Sequence, residues 1–114
     1  MSDRVQVILE HMLEDAQDIV VFSKEIGSFE AFAQDMKTRK AVVMSLLNIG
    51  ELANHLPADY TAAHPEISWR QMIGMRNLAA HGYHVMNIST IWKTAQIFIP
   101  ELLAFLQNQL NLGE

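Results

Sequence analysis

Apolar residues recur at the spacing of an α-helix along almost the whole chain, and that periodicity constrains the fold more than any other feature. Val5, Ile8, Leu9, Met12, Leu13, Ala16, Ile19 and Val20 share one helical face, which predicts a first helix from residue 3 to about 24 with Asp3 as its N-cap. Glu10, Glu14, Asp15 and Asp18 fall on the other side and read as a solvated acidic face. Gly27-Ser28 interrupts the pattern. Ser28 is placed to cap a short helix over 29–37 that turns Phe29, Phe32 and Met36 inward. A long helix follows from about Thr38 to Leu56, with Val42, Leu46, Ile49, Ala53 and Leu56 as its stripe, widened by Val43, Leu47 and Leu52. Lys37, Arg39 and Lys40 stand near its start, where the helix dipole disfavours cations. They are either solvated or serve a partner.

Pro57 ends that helix, and the connection to Pro65 has room for a turn of helix over 59–63. Ser68 is placed to cap a third main helix carrying Trp69, Met72, Ile73, Met75, Leu78, Ala79 and Ala80. Apolar residues lie almost all round it, so it should be buried on several sides. Asn87 to Thr90 opens the last helix, where Ile88, Ile91, Trp92, Ala95, Phe98 or Ile99, Leu102, Phe105 and Leu106 recur at helical spacing. Pro100 lies inside that pattern and must either kink the helix or restart it. No stretch alternates like a strand, and no repeat is present. The expectation is an all-α protein: an up-and-down bundle of four main helices with short extra helices, one domain over residues 1–114.

Composition narrows the function classes. The chain has no cysteine, which excludes a disulfide framework, a thiolate zinc site and a cysteine nucleophile. No apolar run approaches the roughly 18 residues of a membrane span, and the opening Met-Ser-Asp-Arg is no signal pattern. A soluble cytoplasmic protein with no membrane partner is expected. The net charge of −5 is unevenly spread. Residues 1–68 hold five Lys and Arg against eleven Asp and Glu, a balance of −6, whereas residues 69–114 hold three against two, a balance of +1. A polyanion would therefore have to be held at a local site near the third helix, not along a basic groove.

Into that apolar helix the sequence places Arg76, Asn77 and His81, groups that are costly to bury without partners. Asn77 and His81 are four residues apart and share a face, Gly82 can end the helix at positive φ, and Tyr83 follows. One reading is a satisfied polar cluster that ties the helix end to its neighbour. The other is chemistry. An arginine fork suits phosphate, and an imidazole titrates where a general acid or base must. Cleavage of a phosphodiester through its ribose 2′-hydroxyl needs both, with no metal. His81 would move the proton, Arg76 would neutralise charge growing on the phosphorus oxygens, and Asn77 would orient one of them. Acid and base are both wanted, and two copies facing across a two-fold axis would supply them. Gly50, inside the long helix, costs about 1 kcal/mol against alanine. Its expected role is to permit close helix approach, which makes Glu51 a candidate neighbour of whatever packs there. The histidines form no HExxH pattern, His81 and His84 are too few for a metal site, and His55 reads as a helix C-cap. No cofactor and no metal is expected.

The pattern Arg76-x4-His81-x-Tyr83, after a helix opening Ser-Trp-Arg and before one opening at Asn87, resembles the HepT-like branch of the HEPN superfamily. The resemblance extends to the acidic first helix, the Ile-Gly-Glu-Leu-Ala run at 49–53, the proline turn and the Ile-Pro-Glu-Leu at 99–102. It implies an all-helical homodimer, or a higher even oligomer. It implies a metal-independent endoribonuclease toxin of a toxin–antitoxin pair with RNA as substrate. Arg76 and His81 would be catalytic in a cleft at the dimer interface, with Asn77 in support. Tyr83 would be the residue that a cognate minimal nucleotidyltransferase antitoxin modifies to silence the toxin. A nucleotide there, two residues from His81, would set bulk and negative charge where an RNA phosphate must dock. The acidic surface predicts weak nonspecific RNA affinity and suits a basic partner. The alternative is a non-catalytic helical module whose same cluster binds a nucleotide or the nucleotidyltransferase.

Overall fold

The computed structural model describes residues 1–80 and 86–111. In chain order it contains α1 (Asp3–Ile26), α2 (Phe29–Gln34), α3 (Met36–Asn54), α4 (Ala58–Ala63), α5 (Trp69–Ala80) and α6 (Ile88–Lys93). A π-helical turn (Thr94–Phe98) then leads without a break into α7 (Ile99–Gln109). No strand occurs among the described residues. The long elements are α1, α3, α5 and the continuous α6–π–α7 rod, with α2 and α4 as the short extras, so the fold is the expected all-α, HEPN-like bundle.

The apolar stripes do what their spacing predicts. Leu9, Met12, Ala16 and Ile19 of α1, Val42, Leu46, Ile49 and Ala53 of α3, and Ile91, Ala95, Ile99, Leu102 and Leu106 of the last rod are all buried in one cluster. Helix α1 packs against both α3 and α7, while α5 lies on α3. Between α5 and the α6–π–α7 rod the layers do not close. A cavity of about 570 Å³ remains there, floored by Leu46 and Ile49 and walled by Met72, Met75, Phe98 and Ile99.

Local chemistry corrects several boundaries. The cap of α1 is Ser2, whose hydroxyl accepts from the Val5 N–H at 3.2 Å. Asp3 instead occupies the first turn, where its carboxylate still meets the positive end of the helix. Ser28 caps α2 as expected, accepting from the Ala31 N–H. That helix stops at Gln34, earlier than the spacing suggested, because Asp35 takes an extended backbone and caps α3 through its side chain, accepting from the Thr38 N–H at 3.1 Å. The break carries Met36 out of the inward register: it is 55% exposed, and Phe29 sits at the edge, ring to ring with Trp92, while Phe32 alone of the three is fully buried. Arg39 does not merely tolerate its place near the start of α3. Its Nη1 donates to the carbonyls of Phe32 and Ala33, satisfying the C-terminal end of α2.

Pro100 restarts the helix, and the π-turn shows how. Proline has no N–H and its ring clashes with the carbonyl four residues back. The Ile99 N–H donates to the Thr94 carbonyl, a wider ring than an α-turn, and Pro100 then falls in the first turn of α7.

Asp15 also departs from expectation. It is half-buried and its side chain hydrogen-bonds Asn48 of α3, so it belongs to the α1–α3 interface rather than to the solvated acidic face. Burial pushes its carboxyl above the ordinary range, Asn48 acts in the opposite direction, and neighbouring Asp18 and Glu14 push it further up.

Candidate active site at the α3–α5 crossing

Two devices fix α5 on the bundle. At its start, the indole Nε1 of Trp69 donates to the His64 carbonyl at 2.9 Å. The Trp69 ring also packs edge-on against Phe105 of α7 and Tyr60 of α4. In its middle, α5 crosses α3 at Gly50. A Cβ on Gly50 would lie 2.6 Å from the Met72 carbonyl oxygen and 2.7 Å from the Cβ of Arg76. Only a residue without a side chain lets the two backbones come this close. The mid-helix glycine therefore has the packing reason its position suggested, and its cost in helix propensity is offset by contact.

That crossing decides where Arg76 emerges. Its side chain leaves α5 directly beside Gly50 and meets the next residue of α3: Arg76 Nη1 lies 3.2 Å from Glu51 Oε1. Arg76 Nε donates to Asn77 Oδ1, also at 3.2 Å. The Arg76 side chain is 28% exposed and that of Glu51 46%. The other carboxylate oxygen of Glu51 faces Nε2 of His55, the C-cap of α3, at 4.0 Å. One cation is thus held at both its Nε and its Nη1, at the rim of the bundle and not sealed inside it. Among the described residues nothing takes the Nη2 group. That leaves the two Nη2 hydrogens and the second Nη1 hydrogen, a set able to grip an oxyanion in two places.

Of the residues that the sequence singles out, Arg76 and Asn77 are together in α5 and Glu51 joins them from α3. His81 and Tyr83 lie outside the described residues, as do Gly82 and His84. His55 caps α3 as its position suggests; its approach to Glu51 is not legible in the sequence, because an i, i+4 pair at a helix end is too common a pattern to single out.

The sequence profile of the HepT-like ribonucleases matches residues 10–108. This chain belongs to that family. Among its relatives is a chain of Thermococcus cleftensis named as a probable ribonuclease HepT, 40% identical over 94 residues, which are 82% of this chain and 84% of the other. A chain of Caldanaerobacter subterraneus subsp. tengcongensis, named as an inferred RNase, is 37% identical over 82% of this chain and 83% of its own length. A third, of Methanocaldococcus jannaschii and also named as an inferred RNase, is 31% identical over 90% of this chain and 94% of its own. No solved structure matches. The Arg76-x4-His81-x-Tyr83 pattern lies inside the matched span, and its Arg76 is on the helix that α3 holds at Gly50. No described helix is long and apolar enough to cross a membrane.

Proposed function

We propose that this HepT-like protein is a metal-independent endoribonuclease toxin. Its substrate is RNA and its active site is shared between the two subunits of a homodimer. The observation that carries the proposal is the placement of Arg76: a guanidinium fixed at its Nε and one Nη, with its remaining donors directed to no described partner, in a chain of a ribonuclease family. The chemistry asks for little more. The ribose 2′-oxygen attacks the adjacent phosphorus as a base removes its proton, and an acid returns a proton to the departing 5′-oxygen. The products are a 2′,3′-cyclic phosphate and a 5′-hydroxyl. His81 of the two subunits supplies base and acid, Arg76 stabilises the charge that grows on the non-bridging oxygens, and Asn77 orients the guanidinium. Shared use across a two-fold axis resolves the shortage of titratable groups in one chain.

The same reading assigns regulation. A minimal nucleotidyltransferase antitoxin adds nucleotide to Tyr83, and the added phosphate competes for Arg76 with the RNA. The acidic surface, with a balance of −6 over residues 1–68, then favours a basic protein partner over bulk RNA.

The test is cleavage of a labelled oligoribonucleotide in excess chelator by wild type, His81→Ala and Arg76→Ala. Cleavage by wild type that both substitutions lower by about a hundredfold or more is the expected result. Binding of RNA or nucleotide with no cleavage by any of the three would replace the nuclease with a non-catalytic binding module.

A further inference from the structure

We infer that Glu51 is a positioning residue for Arg76: the carboxylate of α3 holds the guanidinium in the orientation from which its remaining Nη donors, directed to no described partner, meet an oxyanion. The inference rests on the reading of Arg76 as the phosphate-binding cation, and it adds a residue that neither the family match nor the relatives' names assign.

Three observations carry it. The first is distance: Glu51 Oε1 lies 3.2 Å from Arg76 Nη1, a close ion pair. The second is how the contact arises. Gly50 sets the two backbones so close that the Cβ of Arg76 stands where a side chain on Gly50 would be. Glu51 is the next residue of α3, so the helix crossing itself delivers carboxylate to guanidinium. The third is magnitude. Both side chains are substantially exposed, at 46% and 28%, and a pair of that kind contributes only about 0–1 kcal/mol to stability. A pair worth so little to the fold, at so constrained a crossing, acts by restricting one cation's orientation.

An arginine side chain left free loses much rotamer entropy when it binds. Held beforehand at Nη1 by Glu51 and at Nε by Asn77, it loses less, and the gain falls on the transition state, where the oxyanion charge is largest. The carboxylate also lowers the net charge that a phosphate meets. Orientation prevails over that competition because the Nη2 pair is directed to no described partner.

The test combines two measurements on the intact protein. The first is steady-state cleavage of an oligoribonucleotide by wild type, Glu51→Ala, Glu51→Gln and Arg76→Ala. Glu51→Ala is expected to lower kcat about tenfold with KM within about twofold, and Glu51→Gln, which keeps an acceptor oxygen, to stay within about threefold of wild type. The second is the ¹⁵N order parameter of the arginine Nε–H, the Arg76 signal being identified by its loss in Arg76→Lys. It should be high in wild type and Glu51→Gln and low in Glu51→Ala, with melting temperatures nearly unchanged. An order parameter that Glu51→Ala leaves unaltered overturns the inference, as does a kcat that rises in Glu51→Ala. Wild type that cuts no RNA would remove the nuclease reading alone, and the NMR arm would still decide whether Glu51 orders Arg76.

Discussion

Gly50 and Arg76 face each other across the α3–α5 crossing with no room for a side chain on the glycine: a Cβ there would stand 2.7 Å from the Cβ of Arg76. The nearest atom, at 2.6 Å, is the Met72 carbonyl oxygen, which belongs to a backbone and cannot swing aside. Gly50→Ala must therefore displace α5. Overpacking of this kind costs about 1–3 kcal/mol, against a gain of about 1 kcal/mol in helix propensity, so thermal melts should show a modest net loss. RNA cleavage should fall about tenfold or more, because Arg76 moves with its helix. Equal cleavage by the alanine variant would mean that the crossing does not set the site.

Gly74 is the control. It lies in the same helix, yet an added Cβ would meet nothing within 4 Å among the described residues. Alanine here loses less backbone entropy on folding and makes no clash, so Gly74→Ala should stabilise by about 0.5–1 kcal/mol in urea denaturation. A loss of stability would show that this face of α5 is covered in solution, for instance by a second copy.

Much of this was legible in the chain. The stripes of α1 and α3 and the restart at Pro100 follow from periodicity and from the missing proline N–H. Asn87 announced its helix and caps it, accepting from the Thr90 N–H at 3.1 Å. What the sequence hid was short-range competition and long-range pairing. Ser2 and Asp3 are both good caps, and only geometry chooses between them. Asp35 ends α2 and starts α3, which a single apolar spacing over 29–37 cannot express. Asp15 looks like its exposed neighbours Glu14 and Asp18, and its Asn48 partner lies on another helix. At the candidate site, the mid-helix Gly50 was signal enough for a close approach. Nothing in the order of residues said that Arg76 would be the group approached.

Tyr83 carries the regulatory half of the proposal. A phenylalanine keeps the ring and removes the hydroxyl that, in the proposed regulation, would accept the nucleotide. Tyr83→Phe should retain RNA cleavage within about threefold, since the phenol takes no part in the proton transfers. After co-expression with a minimal nucleotidyltransferase of the proposed antitoxin class, intact-mass measurement should find added nucleotide on wild type and none on the variant. The same mass addition on both would move the modification to another residue.

Asp15 offers a pH signature that is independent of the active site. Burial against α3 raises its carboxyl above the ordinary 3.8, the hydrogen bond from Asn48 opposes that, and Asp18 and Glu14 add to it while His11 works the other way. A raised native value means that the folded state holds this proton more tightly than the unfolded chain does. The contribution of Asp15 to stability therefore falls as pH rises from 3.8 through the raised native value, and stays unfavourable at neutral pH. Asp15→Asn removes the charge and keeps a partner for Asn48. Its melting temperature should exceed that of wild type at pH 7, and the advantage should shrink as the pH is lowered toward the ordinary carboxyl range, where wild-type Asp15 is itself neutral. Melting curves at several pH values test the sign. An asparagine variant that is less stable than wild type at pH 7 would show that the ionised carboxylate is favoured at the α1–α3 interface, against the effect of its burial.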